Sequence, residues 1–439
     1  MRCRRNGWLL ALAPDSGDRV HDVTTAGRVE AVSPRSGGST LWSATALVFV
    51  GNTLARGLGF LFPIVLAHSM DRHDFALVYL FINLGFFAGE LVLTGFPTAM
   101  ARQIASEKVP SERGAWIQPA LLGGLPLLGV SVIAAETLAA TANAPAGLTA
   151  LVVIGLSIDA YYFSVLRGLE EFALLGAYRS AAALIQLLFL VAVVAAGVVS
   201  VELVVVIYSF VYVVPIAAIE AARRPLFRAL AGARRATRPI RGLLRYAIPS
   251  LIIGLSYGAI FGLDVFFVRL GAPGSLPDYL GARTLVQPMT LIPFAITIVL
   301  LPKLTRARED ERTRLLVRAL VVTVSVAVVG ALAYFTIGPA LIDLVFPSSY
   351  SASPETMGFL ALAVGFLGVY SVLTQWWIAI GHPLRPAFTL TAGAAATAVL
   401  QLVLTPELGA TGAALAIGGG VACALLAIAL PTLRRLQTP

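Results

Sequence analysis

Residues 201–245 read VELVVVIYSFVYVVPIAAIEAARRPLFRALAGARRATRPIRGLLR. The first part, Val201–Ala221, is an apolar run long enough to cross a bilayer, which takes roughly 20 residues. The second part, Arg223–Arg245, holds eight arginines. Arg and Lys collect on the cytoplasmic side of membrane proteins, so an apolar run that ends in a basic block reads as a chain leaving the membrane inward. Outward from this junction the pattern repeats. Before it lie Leu41–Ala67, Phe75–Phe96, Trp116–Ala135, Leu148–Leu166 and Tyr178–Val199; after it lie Tyr246–Leu270, Leu280–Leu301, Leu315–Ile337, Met357–Ile380, Pro386–Leu404 and Ala410–Leu430. The reading is an all-α integral membrane protein of about twelve transmembrane helices. Composition agrees: 58% hydrophobic and only 13% charged residues, against about 25% charged for a soluble domain.

Twelve spans require the basic residues to alternate from loop to loop. The even-numbered loops and the C-terminal tail hold 22 Arg and Lys, the odd-numbered loops only Arg72, Arg269 and Arg283. Both termini are therefore expected in the cytoplasm of a cell whose cytoplasmic membrane the chain spans. The +9 net charge is then accounted for by topology rather than by nucleic acid. Cys3 and Cys423 stand at opposite ends and form no disulfide framework. The four histidines show no zinc-ligand spacing, so no metal site is expected.

The basic block divides the chain. The expected organisation is a disordered cytoplasmic tail over 1–40, a six-helix lobe over 41–221, an amphipathic linker over 222–245, a second six-helix lobe over 246–432 and a short tail over 433–439. Arg4 and Arg5 precede an apolar run too short for a cleaved signal. Within the linker, leucines and arginines interleave over Leu226–Leu244 at near-helical spacing, which suits a helix on the anionic inner leaflet. The halves echo each other. Asp74-Phe75 opens span two and Pro97 closes it before Arg102; Asp278-Tyr279 opens span eight and Pro302 closes it before Lys303. Tyr161-Tyr162 and Gln186 correspond to Trp376-Trp377 and Gln401. Six spans per half is an even number, so the repeat is parallel, about an axis along the membrane normal, with a cavity expected between the lobes.

A charge at bilayer depth is costly, at least about 2.5–3.5 kcal/mol on insertion scales, so such residues are functional candidates by default. Arg56 lies near the middle of span one, with Asn52 one turn before it on the same face. Glu90 lies in span two, Asp159 in span four and Asp264 in span seven. Arg283 begins span eight, with Gln287 one turn further in. Each has an alternative. Asp264 and Arg283 suit an ion pair, Arg283 can snorkel to the interface, Glu90 can pair with a cytoplasmic arginine, and Arg56 can sit in a buried pair. Gln186, Gln375 and Gln401 read as interhelical hydrogen-bond partners. Pro63, Pro215, Pro249, Pro288 and Pro293 fall inside spans and interrupt the helical ladder. No GxxxxGK[ST] loop occurs, no HExxH or GxSxG motif stands in a suitable setting, and the outer loops are short. These features argue against an ATP-driven engine and against an enzyme, so no catalytic residue is assigned.

Taken together, several segments carry a family resemblance. They are Asn52 to Arg102, including Gly95-Phe-Pro-Thr-Ala-Met-Ala-Arg102; Ile248-Pro249 with Asp264 and Tyr279–Pro302; Leu344-Val-Phe-Pro-Ser-Ser-Tyr350; Gln375-Trp-Trp-Ile-Ala-Ile-Gly-His382; and Pro406-Glu-Leu-Gly-Ala-Thr-Gly-Ala-Ala414. The chain resembles polysaccharide and oligosaccharide-lipid flippases of the multidrug/oligosaccharidyl-lipid/polysaccharide exporter superfamily. The resemblance implies two six-helix lobes in a V around a central cavity, and alternating access that moves a lipid-linked glycan across the cytoplasmic membrane. It implies a basic cavity for the phosphate of a polyprenyl carrier, a role open here to Arg56 and Arg283, with Asn52 and Gln287 beside them. Glu90, Asp159 and Asp264 are the candidates for ion coupling or gating. No cofactor is expected beyond a coupling Na⁺ or H⁺. The expected partners are the glycan substrate, membrane lipids and glycan-assembly enzymes. A multidrug antiporter of the same superfamily, or a non-transporting scaffold of a glycan-assembly complex, are the alternatives.

Overall fold

A computed structural model describes residues 38–107, 110–232 and 238–437. Residues 1–37, most of the expected N-terminal tail, lie outside the described residues. Every regular element described is helical. Residues 43–439 form one compact unit. Nine of the described helices are long and apolar enough to cross a membrane, and the chain is a multi-pass membrane protein.

The helices follow the apolar runs and break where the backbone chemistry demands it. The first is α1 (Gly38–Ser69). Span two divides into α2 (Arg72–Leu93) and α3 (Gly95–Ser106). Asp71 caps α2 by accepting from the Asp74 amide at 2.9 Å, which satisfies one of the orphan donors of the first turn. There follow α4 (Ile117–Thr141), α5 (Leu148–Gly168) and α6 (Phe172–Ala195). The apolar runs Tyr178–Val199 and Val201–Ala221, which adjoin in the sequence, are joined by a tight hairpin at Ser200. Gly197 reverses the chain at φ 69°, and the Ser200 hydroxyl accepts from Leu203 to cap α7 (Val201–Phe210). Pro215 cannot donate to the preceding turn, and α8 (Val213–Ala222) starts afresh two residues before it.

The linker departs from the single helix expected over Leu226–Leu244. Helix α9 (Pro225–Gly232) ends within it, Arg238–Ile240 are not helical, and α10 (Arg241–Phe261) begins two residues after Pro239. A proline has no amide to continue the ladder and disfavours helix in the residue before it. Helix α9 lies on the 3₁₀ turn Pro110–Trp116, so closely that a Cβ at Gly114 would overlap the Ala229 carbonyl.

Beyond α10 come α11 (Leu263–Gly271), α12 (Leu276–Val286), a 3₁₀ turn over Gln287–Thr290 that contains Pro288, and α13 (Leu291–Arg306). Then α14 (Glu309–Val345) and α15 (Pro354–Ala379) precede α16 (Leu384–Gln437). Helix α16 doubles back. Gly409 has φ 57° and ψ −133°, and Gln401 Nε2 donates to the Ala413 carbonyl at 3.2 Å. Twelve residues of straight helix would separate those groups by about 18 Å. The two arms pack through Gly393 and Gly420; a Cβ at Gly393 would lie 2.8 Å from the Gly420 carbonyl oxygen, the close approach that small residues permit between membrane helices.

One seam matters for the site. Helices α2 and α3, from the first half of the sequence, run antiparallel to α10 and α11 from the second, while α12 lies along α2 in the same direction, Arg72 meeting Asp278 and Asn83 meeting Arg283. Arg72 pairs with Asp278 at 2.7 Å at one end. Gln103 Nε2 donates to the Gly242 carbonyl at 3.0 Å at the other, where the Arg102 guanidinium also covers the Tyr246 ring at 3.8 Å.

Candidate functional site

The polar residues singled out from the sequence fall into four settings. Arg56 projects from α1, and its side chain is exposed. Its Nη1 donates to Thr290 Oγ1 at 3.1 Å, and its guanidinium lies 4.2 Å from the centre of the Phe294 ring. Thr290 in turn donates to the Gln287 carbonyl at 2.8 Å, so Gln287 acts through its backbone while its side chain stays exposed. No carboxylate reaches Arg56 within ion-pair distance among the described residues. The side chain of Asn52 lies outside the described residues.

Arg283 and Asp264 form the ion pair that the sequence left open. Asp264, on α11, is fully buried. Its Oδ2 lies 3.2 Å from Arg283 Nε and accepts from the Tyr279 hydroxyl at 2.5 Å. Arg283 Nη1 donates to Asn83 Oδ1 at 2.7 Å, and Nη2 to the Phe261 carbonyl. Each guanidinium nitrogen is thus engaged, and the side chain bolts α12 to α2, α10 and α11. Charges at this depth persist only when paired and hydrogen-bonded.

Asp159 has the same treatment on the other side. Buried on α5, it pairs with Arg179 Nη1 at 2.9 Å and accepts from the Tyr178 hydroxyl at 2.5 Å. The Arg179 guanidinium also lies 4.4 Å from the Phe163 ring centre. Both carboxylates therefore sit with one tyrosine hydroxyl and one arginine.

Glu90 is different. It is buried on α2 with 4% exposure, and its Oε2 has no hydrogen-bond partner among the described residues. Among the described residues no arginine forms an ion pair with it. Tyr257 of α10 stands among these groups, within electrostatic reach of Arg283, Arg56, Glu90 and Asp264, and Arg56 is within reach of Arg179.

Sequence reading missed several partners. Tyr279 and Arg283 are one turn apart on α12, a spacing that could have flagged a shared carboxylate. Arg179, one of the 22 basic residues assigned to the even-numbered loops and the C-terminal tail, lies inside α6. Glu220, buried near the end of α8, accepts from the Tyr162 hydroxyl at 3.0 Å and from the Leu226 amide at 3.1 Å, and no local signal distinguishes it. Among the described residues no cluster of metal-ligating side chains occurs.

The family described as polysaccharide biosynthesis protein matches residues 41–308. The chain belongs to that family. This polysaccharide biosynthesis family protein carries nine helices long and apolar enough to cross a membrane among its described residues. No match was found among curated protein sequences. Solved structures share the fold of this family protein. A lipid II flippase MurJ in an inward closed conformation is 15% identical, with TM-score 0.68 over 88% of this chain and 87% of that chain. An inward-facing multidrug resistance MATE family transporter is 13% identical, with TM-score 0.65 over 87% and 96%. A superfamily transporter from Pyrococcus furiosus, described as having reverse polarity in its binding pocket, is 14% identical, with TM-score 0.62 over 89% and 95%.

Proposed function

We propose that this protein carries a lipid-linked oligosaccharide or polysaccharide precursor across the cytoplasmic membrane by alternating access. On this reading the chain makes twelve passages, in six-helix lobes over 41–221 and 246–432 around a central cavity, with both termini cytoplasmic. The fold-back of α16 at Gly409 supplies one of those passages. The basic linker stays on the inner face, beside any glycan-assembly enzyme that delivers the substrate.

The observation that carries the reading is Arg56. On this reading it is a permanent cation inside the first span, held by a hydroxyl and an aromatic ring and, among the described residues, left without a carboxylate. A guanidinium so placed retains N–H donors for a phosphate, which it can grip with two parallel hydrogen bonds. The phosphate or pyrophosphate of a polyprenyl carrier meets that need. Arg179 and Arg283 add positive potential nearby while their own carboxylates hold them in place.

Cation antiport is the second reading, favoured by the buried carboxylates. It is weakened by the pairing of Asp159 and Asp264 with arginines, which leaves Glu90 as the one unpaired acid of the three. Driving force is assigned to the membrane potential or to an H⁺ or Na⁺ gradient.

Deleting the gene and adding back wild type or Arg56→Ala tests the proposal. Lipid-linked intermediates should accumulate in the deletion strain and be cleared by wild type only. Unchanged glycan export together with raised sensitivity to cationic compounds would transfer support to the antiport reading.

A further inference from the structure

Glycines at positions 254, 258 and 262 of the chain, spaced every fourth residue, put a bare track on the face of α10 and its junction with α11. The track lies against α2. A Cβ on Gly254 would stand 2.6 Å from Glu90 Oε2, one on Gly258 would stand 2.9 Å from Glu90 Cγ, and one on Gly262 would stand 3.1 Å from Phe87 Cβ. The glycines thus let backbone close over the Glu90 carboxyl, which accounts for its burial.

What surrounds that carboxyl matters as much. The Thr94 hydroxyl, beside the carboxyl at the Gly254 end of the track, donates to the Glu90 backbone carbonyl at 2.9 Å. Of the titratable groups on elements packed against α2, Arg283 and Tyr279 of α12 are engaged by Asp264 of α11. Asp159 of α5 is engaged by Arg179 and Tyr178. Glu136 of α4 accepts from the Gly147 and Ala150 amides. Glu202 of α7 lies in that helix's first turn, and Arg102 of α3 covers Tyr246. Tyr257 of α10 lies within electrostatic reach of Glu90. No cation balances Glu90 among the described residues, and a buried unpaired carboxylate costs several kcal/mol.

We propose that Glu90 is a proton-binding site that couples protonation to the parting of the two sequence halves. Packed against the glycine track, it is the neutral carboxylic acid. When α10 moves away from α2, water reaches the carboxyl, the O–H bond breaks, and the proton leaves to water with the carboxylate kept in place. Return of α10 requires the proton back. The use of this switch rests on the alternating-access reading above, but its detection does not.

The test needs no cargo. Spin labels go on Ala105→Cys in α3 and Leu244→Cys in α10, both exposed, in a Cys3→Ser/Cys423→Ser background, and inter-label distance is measured from acidic to alkaline buffer. The closed, short-distance population should dominate in acid and fall by up to about tenfold per pH unit through the transition. Glu90→Gln, a neutral isostere, should stay closed throughout, and Glu90→Asp should keep a transition at a different pH. The infrared band of a protonated carboxyl should be present in wild type and absent in Glu90→Gln. An unaltered pH response in Glu90→Gln, or wild type whose distances ignore pH, would overturn the proposal. Because neither readout involves a glycan, a failed transport assay and a failed proton site give separable results.

Discussion

Arg56 Nη1 lies 3.1 Å from Thr290 Oγ1, a hydrogen bond between residues 234 positions apart in the chain. It ties α1 to the 3₁₀ turn between α12 and α13 while leaving the guanidinium without an acid partner among the described residues. A bound phosphate would compete for the same donors. Arg56→Ala is expected to weaken binding of a polyprenyl diphosphate to the purified protein by about 1.5–3 kcal/mol, the range for hydrogen bonds to charged groups, or roughly 10- to 100-fold. Arg56→Lys keeps the charge but loses the fork and should fall between. Equal affinity in all three would remove Arg56 from the binding site.

Asp264 and Arg283 make the opposite case, a closed pair with a structural task. Asp264→Asn leaves the half-buried Arg283 without its counter-ion, and breaking a fully buried pair costs about 3–5 kcal/mol, an upper bound here. The apparent melting temperature of the solubilised protein should fall by several degrees. Asp264→Asn/Arg283→Gln removes both charges and should recover part of the loss. A double variant no better than the single would show that the two residues do not act as a pair.

The Arg72–Asp278 bridge closes one end of the α2–α12 seam. With side chains 37% and 21% exposed, it adds no more than about 1 kcal/mol to stability. Its importance is positional. Arg72→Cys/Asp278→Cys, joined by a short bifunctional crosslinker, should block transport, and cleaving the linker should restore it. Transport that continues with the seam crosslinked would mean that this end does not open.

The all-helical, multi-pass architecture and the family were legible because lipid imposes a simple rule: long apolar runs of helical length. The hairpin at Ser200 could be read from two apolar runs meeting at a capping residue. The break at Pro239 was lost because interleaved leucines and arginines mimic a continuous helix. The site was read only in part, for a different reason. Glu90, Asp159, Asp264 and Arg283 announce themselves as charges inside apolar runs, but their partners lie far away in sequence. Asn83 meets Arg283 across 200 positions. The isolation of Glu90 depends on glycines of another helix, which hydropathy cannot register as neighbours.

The central claim is that the protein moves a lipid-linked glycan across a bilayer. The most direct measurement places purified protein in vesicles that contain a fluorescently tagged lipid-linked oligosaccharide, and follows how much tag becomes accessible to an impermeant quencher under an imposed membrane potential or pH gradient. Wild type should equalise or invert the sidedness of the tag, and Arg56→Ala should not. If wild type leaves the tag where empty vesicles leave it, while the same vesicles exchange a cationic dye for protons, the flippase assignment is wrong and cation antiport takes its place.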